Sequence, residues 1–222
     1  MKTLITSVIA SILLGSAVTF YSCKDKETEP ALSAKIQKIA PEALLTDLKT
    51  KGMPINEGVK PPKVDGIFVS SPHTCLVPYG PDDPNQAGYQ FTDLTIQFSN
   101  QNFEDGSIVI ATKSGSTTSK GFGGFISGSG NKFSIFAELE ITNGSATGKQ
   151  IRIFSGEITP DGIKDLVTTL VFTEKNDPGD YFLKVGQARI IKDNDGLARK
   201  INSFRVSERG GEEFLRDENV AQ

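Results

Sequence analysis

The chain has 222 residues, with 24 Lys and Arg against 27 Asp and Glu and a formal net charge of −3. That length suits one folded domain with short appendages. A hydrophobic content of 37%, with 22 Gly and 14 Phe, is typical of a compact, turn-rich body and argues against a disordered chain. The slight acidic excess supplies no basic field for phosphate backbones, so we expect no nucleic-acid partner.

Residues 1–22 are predicted to be a lipoprotein signal peptide. Lys2 is followed by an uncharged run that ends with Ser22 before Cys23, the pattern of a charged n-region and an apolar h-region. Polar residues in the run argue against a membrane-spanning helix. The stretch 20–23 resembles a bacterial lipobox, which implies that Cys23 is the mature N-terminus and carries the lipid. An ordinary signal with a spacer cysteine is the alternative.

Residues 24–30 follow this cysteine with two lysines and three acids before Pro30. The segment resembles the short tag that sends lipoproteins of Bacteroidota to the outside of the outer membrane. We therefore expect a protein held at the outer membrane by its N-terminal lipid, on the cell surface, with the periplasmic leaflet as the alternative. A polar tether with no sorting role is the simpler account of the same residues. If Cys23 carries lipid, Cys75 has no partner for an intramolecular disulfide.

The rest of the chain is predicted to hold short helices, a β-domain and a tail. Residues 23–63 combine the lipidated tether with short helices, because apolar residues recur there at spacings of three and four. From residue 64 to 206 the period changes to two, which predicts antiparallel strands. In the segment 132–141 this period predicts that Ile135 and Leu139 are buried and that Ser134 and Glu138 are exposed. Residues 207–222 form a charged, solvated tail.

Eight to ten short strands separated by turn signals predict an all-β fold. Connections of hairpin length favour an antiparallel up-and-down barrel of lipocalin-like character, and a β-sandwich is the alternative. A change of parity near Thr92 and Asp93 predicts a β-bulge in the long strand 89–98. The last strands are expected at 181–191 and 203–206, with a hairpin turn at 193–196.

Several phrases suggest a family: 51–58 with Pro61 and Pro62, 98–102, 125–131, 155–156 with 162–166, and 192–197. They resemble a group of uncharacterised Bacteroidota lipoproteins over most of the mature chain. The resemblance implies an envelope location and brings no known catalytic or ligand-binding residues.

His73 and Cys75 lie two residues apart, which on a strand places them on one face and makes a nucleophilic pair or half of a metal site conceivable. The chain has no second histidine, and free cysteines are commonly buried as small apolar residues. We therefore assign no catalytic residue, no metal ligand and no cofactor, and leave the ligand-binding residues unknown.

Three further segments have structural explanations that outweigh functional ones. Asp193 to Gly196 and the acids Asp82 and Asp83 have calcium-like composition but not the required ligand spacing. The glycines between 121 and 130 match no nucleotide-binding pattern and suit closely crossing strands.

Three functions remain open at this point. The first is a lipid-anchored envelope protein whose non-catalytic β-domain binds a small ligand or a surface partner. The second is a structural or interaction module of the cell surface, and the third is a small hydrolase. The volume of a barrel cavity would distinguish the first two.

Overall fold

The computed structural model describes residues 32–204, which form two short helices followed by one antiparallel sheet of eleven strands. The helices are α1 (Ala34–Ile39) and α2 (Glu42–Thr50). The strands are β1 (Gly66–Ser70), β2 (His73–Val77), β3 (Gln90–Phe91), β4 (Leu94–Ser99), β5 (Ser107–Ser114), β6 (Thr117–Ser129), β7 (Lys132–Asn143), β8 (Ala146–Thr159), β9 (Gly162–Asn176), β10 (Ala188–Asp193) and β11 (Leu197–Ile201).

The strand pairings close the sheet into a ring. Strand β11 pairs with β1 on one side and with the start of β9 on the other, and β4 to β9 connect the two ends in sequence order. Strand β10 lies beside the later part of β9 and pairs with β2, which pairs with β3. Three positions in the wall are therefore each occupied by two consecutive strands that follow one another in line: β1 with β2, β3 with β4, and β10 with β11. The expected all-β fold is confirmed, and its ring of eight antiparallel positions is that of the up-and-down barrel.

Two interruptions test the sequence prediction directly. The β-bulge expected at Thr92 and Asp93 is wrong, because the chain leaves the sheet there: β3 pairs with β2, whereas β4 pairs with β1 and β5. The hairpin expected at 193–196 is wrong, because β10 and β11 run in the same direction along β9. The Asp193 carboxylate accepts hydrogen bonds from the backbone N–H groups of Ser71 and Leu197, at 3.0 Å each, so this loop bridges two segments of one wall strand.

The expected bounds of the last strands also need correction. Residues 181–187 form a loop, and the strand begins at Ala188. The final described strand is β11 at Leu197–Ile201, earlier than the expected 203–206, and residues 203 and 204 lie outside any strand.

The barrel buries two separate apolar cores. Inward-facing side chains fill one end of the barrel interior: they include Phe68, Leu94, Ile96, Phe98, Ile108, Ile110, Phe133, Ile135, Leu139, Phe154, Ile163 and Leu166. The second core lies outside the barrel, where Phe136, Ile151, Ile153 and Ile190 meet the buried residues of both helices. The sheet is therefore covered on its outer face by the N-terminal helices.

A second segment on the outer face, residues 53–58, explains one error in the parity prediction for β7. Ile135 and Leu139 are fully buried and Glu138 is exposed, as expected. Ser134 was expected to be exposed, but it is buried because residues 53–58 cross over it. Its hydroxyl accepts a hydrogen bond from the Asn56 N–H at 2.7 Å and contacts the Ser155 hydroxyl at the same distance. Period-two reasoning could not foresee a covering segment from elsewhere in the chain.

The helices are short and held by specific end contacts. Ser33 caps α1, since its hydroxyl accepts a hydrogen bond from the Ile36 N–H at 3.3 Å. Pro41 precedes α2, and Leu45 and Leu48 bury its inner face. Neither helix in the described range has the length and apolar character needed to cross a membrane.

Candidate ligand site

The interior of the barrel changes character along its axis. At the end near residues 100–106 the interior is packed with apolar side chains, and we call this the apolar end. At the opposite end a cavity of about 340 Å³ lies inside the wall, and we call this the open end. Its volume falls within the range of small-molecule sites.

Two long connections form the rim of the open end. Residues 78–89 join β2 to β3, and residues 177–187 join β9 to β10. Lys175 holds the second connection through hydrogen bonds to Asp180 at 2.9 Å and to the Phe182 carbonyl at 3.3 Å. Asp177 adds two bonds from the N–H groups of Tyr181 and Phe182. The rim is therefore held by several polar contacts with the end of β9.

Arg152 and Gln150 project from β8 into the cavity, two residues before the packed ring of Phe154. Arg152 is 6% exposed, and one terminal nitrogen donates a long hydrogen bond of 3.4 Å to the Thr168 hydroxyl. Its guanidinium lies 5.4 Å from the centre of the Phe154 ring. Nε of Arg152 and Oε1 of Gln150 are buried and have no hydrogen-bond partner among the described residues. Burial lowers the pKa of Arg152 to about 10, so the group remains a cation.

Arg189 is the second buried arginine of the cavity, and its charge is matched. Its guanidinium makes a two-pronged ion pair with Asp83, with Nε donating to Oδ2 at 3.0 Å. Asp83 also accepts bonds from the N–H groups of Tyr79 and Asn85. Burial alone would raise the pKa of Asp83, but these bonds outweigh burial and lower the pKa. The acidic loop 82–85 thus serves as the partner of a buried arginine.

His73 lines the same cavity as a neutral side chain. Its Nδ1 lies 3.0 Å from the hydroxyl of the buried Ser70. Burial first, and the charge of Arg152 second, lower the pKa of His73 to about 3. A group with so low a pKa carries no charge near neutral pH and is a weak general base.

Aromatic side chains form much of the cavity wall. Phe172 and Phe182 are stacked with ring centres 4.9 Å apart, and both line the cavity. Phe91 also lines the cavity, with the Arg189 guanidinium 5.2 Å from its ring centre. The site therefore combines polar groups at its base with apolar and aromatic surface around them, which is typical of small-molecule sites.

The nucleophilic pair considered from the sequence is not assembled. His73 and Cys75 are both buried on β2, but the His73 ring bonds Ser70, and no hydrogen bond joins it to Cys75 in the described part of the chain. Burial raises the pKa of the Cys75 thiol, which opposes thiolate formation.

The other segments singled out from the sequence have structural roles. Asp193 and Asp195 sit close together, but their carboxylates bond backbone N–H groups and, for Asp195, Arg199 at 2.8 Å. Within residues 32–204 no group of three metal-binding side chains is present. At Gly121 a side chain would meet the Glu138 carbonyl at 2.7 Å, which agrees with the close strand crossing expected there. Cys23, the signal peptide and the 207–222 tail lie outside the described residues.

Sequence reasoning missed Gln150, Arg152 and Arg189 as site residues. Arg152 and Arg189 each lie between two apolar residues of the opposite face, Ile151 and Ile153 for the first and Ala188 and Ile190 for the second. Such alternation normally places the polar residues in solvent and the apolar residues in the core, whereas here the apolar residues face the outer core and the arginines face the barrel interior. That signal was present in the sequence, but the polar face could not be assigned before the second, outer core was known.

No family model, no curated protein and no solved structure matches this chain.

Proposed function

We propose that this protein is a lipid-anchored envelope protein whose β-barrel binds a small ligand at its open end without catalysis. The observation that carries the proposal is the cavity of about 340 Å³ with unpaired, buried polar atoms of Gln150 and Arg152 at its base. Buried polar groups are normally hydrogen-bonded, and an unpaired one costs stability. Such groups in an open, aromatic-lined cavity are explained when they serve a ligand.

The binding half of the proposal is tested with a neutral fluorescent probe, N-phenyl-1-naphthylamine. Leu170 lines the cavity, so Leu170→Trp fills it and is expected to abolish the fluorescence increase on binding. Phe103→Trp is the matched control, because Phe103 is 60% exposed near the apolar end. Equal binding by wild type and Leu170→Trp would place the probe elsewhere and contradict the proposal.

The anchoring half of the proposal rests on Cys23 and on the segments around it in the sequence. Attached acyl chains hold a protein at a membrane by burying about 0.8 kcal/mol per methylene. Metabolic labelling with a fatty acid in a Bacteroidota host should mark the wild type and Cys75→Ser, and should not mark Cys23→Ala. Label on the Cys23→Ala protein would overturn the assignment, and surface proteolysis of whole cells separates the two leaflets.

A further inference from the structure

The charges inside the open end do not balance. Arg189 is neutralised by Asp83, and His73 is neutral, whereas Arg152 forms no ion pair among the described residues. The chain thus provides a carboxylate for one buried arginine of the cavity and none for the other. An isolated buried cation is costly unless an opposite charge or a set of hydrogen bonds compensates it.

The single uncompensated charge at the buried base of the cavity fixes the charge of the group that fits there, since Lys184 lies exposed at the rim. One guanidinium matches one carboxylate or one sulfonate, since either can accept two parallel N–H bonds from its fork. A doubly charged phosphate monoester would require a second cation at the base of the cavity. Arg189 does not offer one, because Asp83 already neutralises its charge through bonds from Nε and one terminal nitrogen.

The surroundings of Arg152 fix the rest of the ligand. The apolar part of the wall around Arg152 includes Phe91, Leu170, Phe172 and Phe182. A cavity of about 340 Å³ lies at the small end of the range for small-molecule sites, which suits a body of one or two rings or a short acyl chain. Stacked Phe172 and Phe182 present edges and faces that suit an aromatic body.

We propose that the ligand of the open end is a singly charged organic acid, with its anionic group on Arg152 and its aromatic or aliphatic body against Phe91, Leu170 and Phe172. The inference rests on the proposed function and specifies its ligand class. The anion replaces the missing carboxylate partner of Arg152, and the apolar body removes water from the ion pair. Low local polarity strengthens that pair.

Two probes that differ by one anionic group test the inference. 8-Anilinonaphthalene-1-sulfonate and N-phenyl-1-naphthylamine share the same rings and the same N–H, but only the first carries a charge. Wild type should bind the sulfonate at least about tenfold more tightly than the neutral probe. Arg152→Met should remove this preference by weakening only the sulfonate, because the methionine keeps the apolar stem and lacks the charge.

Two further variants control for charge and folding. Arg152→Lys keeps the charge without the fork and should retain part of the preference. Arg199→Met removes an arginine whose side chain is 63% exposed in a surface ion pair, and it should leave the binding of both probes unchanged. Cooperative thermal unfolding of each variant establishes that it is folded.

The outcomes separate this inference from the proposed function. If both probes bind wild type equally, or if Arg152→Met weakens both equally, the open end is a ligand site but the acid assignment is wrong. If neither probe responds to Leu170→Trp, the binding function itself fails. Loss of the sulfonate preference in Arg152→Met, with binding of the neutral probe kept within about threefold, supports both.

Discussion

The apolar end and the open end of the barrel are made from the same alternating strands but are filled in different ways. At the apolar end, the Phe98 ring lies 6.1 Å from Phe68, 6.3 Å from Phe133 and 5.5 Å from Phe154, measured between ring centres. At the open end, inward positions hold His73, Gln150 and two arginines. The boundary falls within β8, between Arg152 and Phe154.

This division separates two demands on one small interior. Close packing of aromatic rings at the apolar end provides stability through burial and favourable edge contacts. A buried unpaired guanidinium at the open end reduces stability, which is acceptable when it serves binding. Truncating a packed ring at the apolar end should therefore lower the free energy of unfolding, whereas removing the unpaired charge at the open end should raise it.

The largest effect is expected at the apolar end. Phe98→Ala removes a fully buried ring that contacts three others, and it should lower the free energy of unfolding by about 3–5 kcal/mol. Phe103→Ala is the control, since its ring is exposed on the loop beside this end, and it should change stability by less than about 0.5 kcal/mol. Chemical denaturation measures both. Equal losses in the two variants would show that the interior of the apolar end is not the stability core.

A smaller effect with a defined pH window is expected from His73 at the open end. Burial holds its folded pKa near 3, below the ordinary 6.5, so between these values the unfolded chain is protonated and the folded chain is not. The free energy of unfolding therefore loses nothing at this group above pH 6.5. Below pH 6.5 it falls by about 1.4 kcal/mol per pH unit, because only the unfolded chain gains the proton. Between pH 6.5 and 4.5 the loss amounts to about 2–3 kcal/mol.

His73→Gln isolates this contribution, because glutamine does not titrate and His73 is the sole histidine of the chain. Denaturation midpoints of wild type and His73→Gln, measured from pH 7.5 to 4.5, should diverge in slope below pH 6.5. Carboxylates titrate in both proteins and cancel in the difference. Parallel curves would contradict the deep burial of this imidazole.

Arg152→Met should have the opposite sign to Phe98→Ala. Replacing an unpaired buried cation with an apolar side chain of similar length is expected to raise stability by roughly 1–2 kcal/mol. The same change should raise the pKa of His73, because the charge of Arg152 is the second cause of its lowering. The pKa should stay below 6.5, since burial, the larger cause, remains. Proton NMR of the single histidine measures the pKa, and a clear loss of stability would indicate a structural role for Arg152.

The sequence predicted the fold class well because strand periodicity is a local property. In β7, the burial of all five alternate positions from Phe133 to Ile141 and the exposure of Glu138 follow directly from alternating residues and the turns that bound them. The errors arose where a distant segment changed a local environment: Ser134 is covered by residues 53–58, and the loop after Asp193 bridges two segments of one wall strand because its carboxylate binds Ser71.

The candidate site could be predicted only in fragments. From the sequence, His73 was considered as part of a nucleophilic pair and Asp83 as a calcium ligand. In the structure His73 lines the ligand cavity and Asp83 is the ion-pair partner of Arg189. Asp83 and Arg189 lie 106 positions apart, so their ion pair depends on ring closure of the whole sheet. Arg152 carried a signal in its apolar neighbours, yet the inward direction of its side chain required knowledge of both cores.

The smallest expected effect is at Glu138, and its neighbour Leu139 provides the matched comparison within one strand. Glu138 is exposed on the outer face, whereas Leu139 is fully buried inside the barrel, where one of its methyl groups lies beside Gly121. Glu138→Ala should change the free energy of unfolding by less than about 0.5 kcal/mol, because surface substitutions away from specific contacts rarely cost more. Leu139→Ala should cost about 2–5 kcal/mol through lost burial and a residual cavity. Since the free energy of unfolding of a domain of this size is only about 5–15 kcal/mol in total, urea midpoints will resolve the two variants.

Equal effects at these adjacent positions would contradict the assignment of inward and outward faces in β7. The inward direction of the cavity residues of β8 depends on the same assignment, because Leu139 is paired with Gln150 across the two strands.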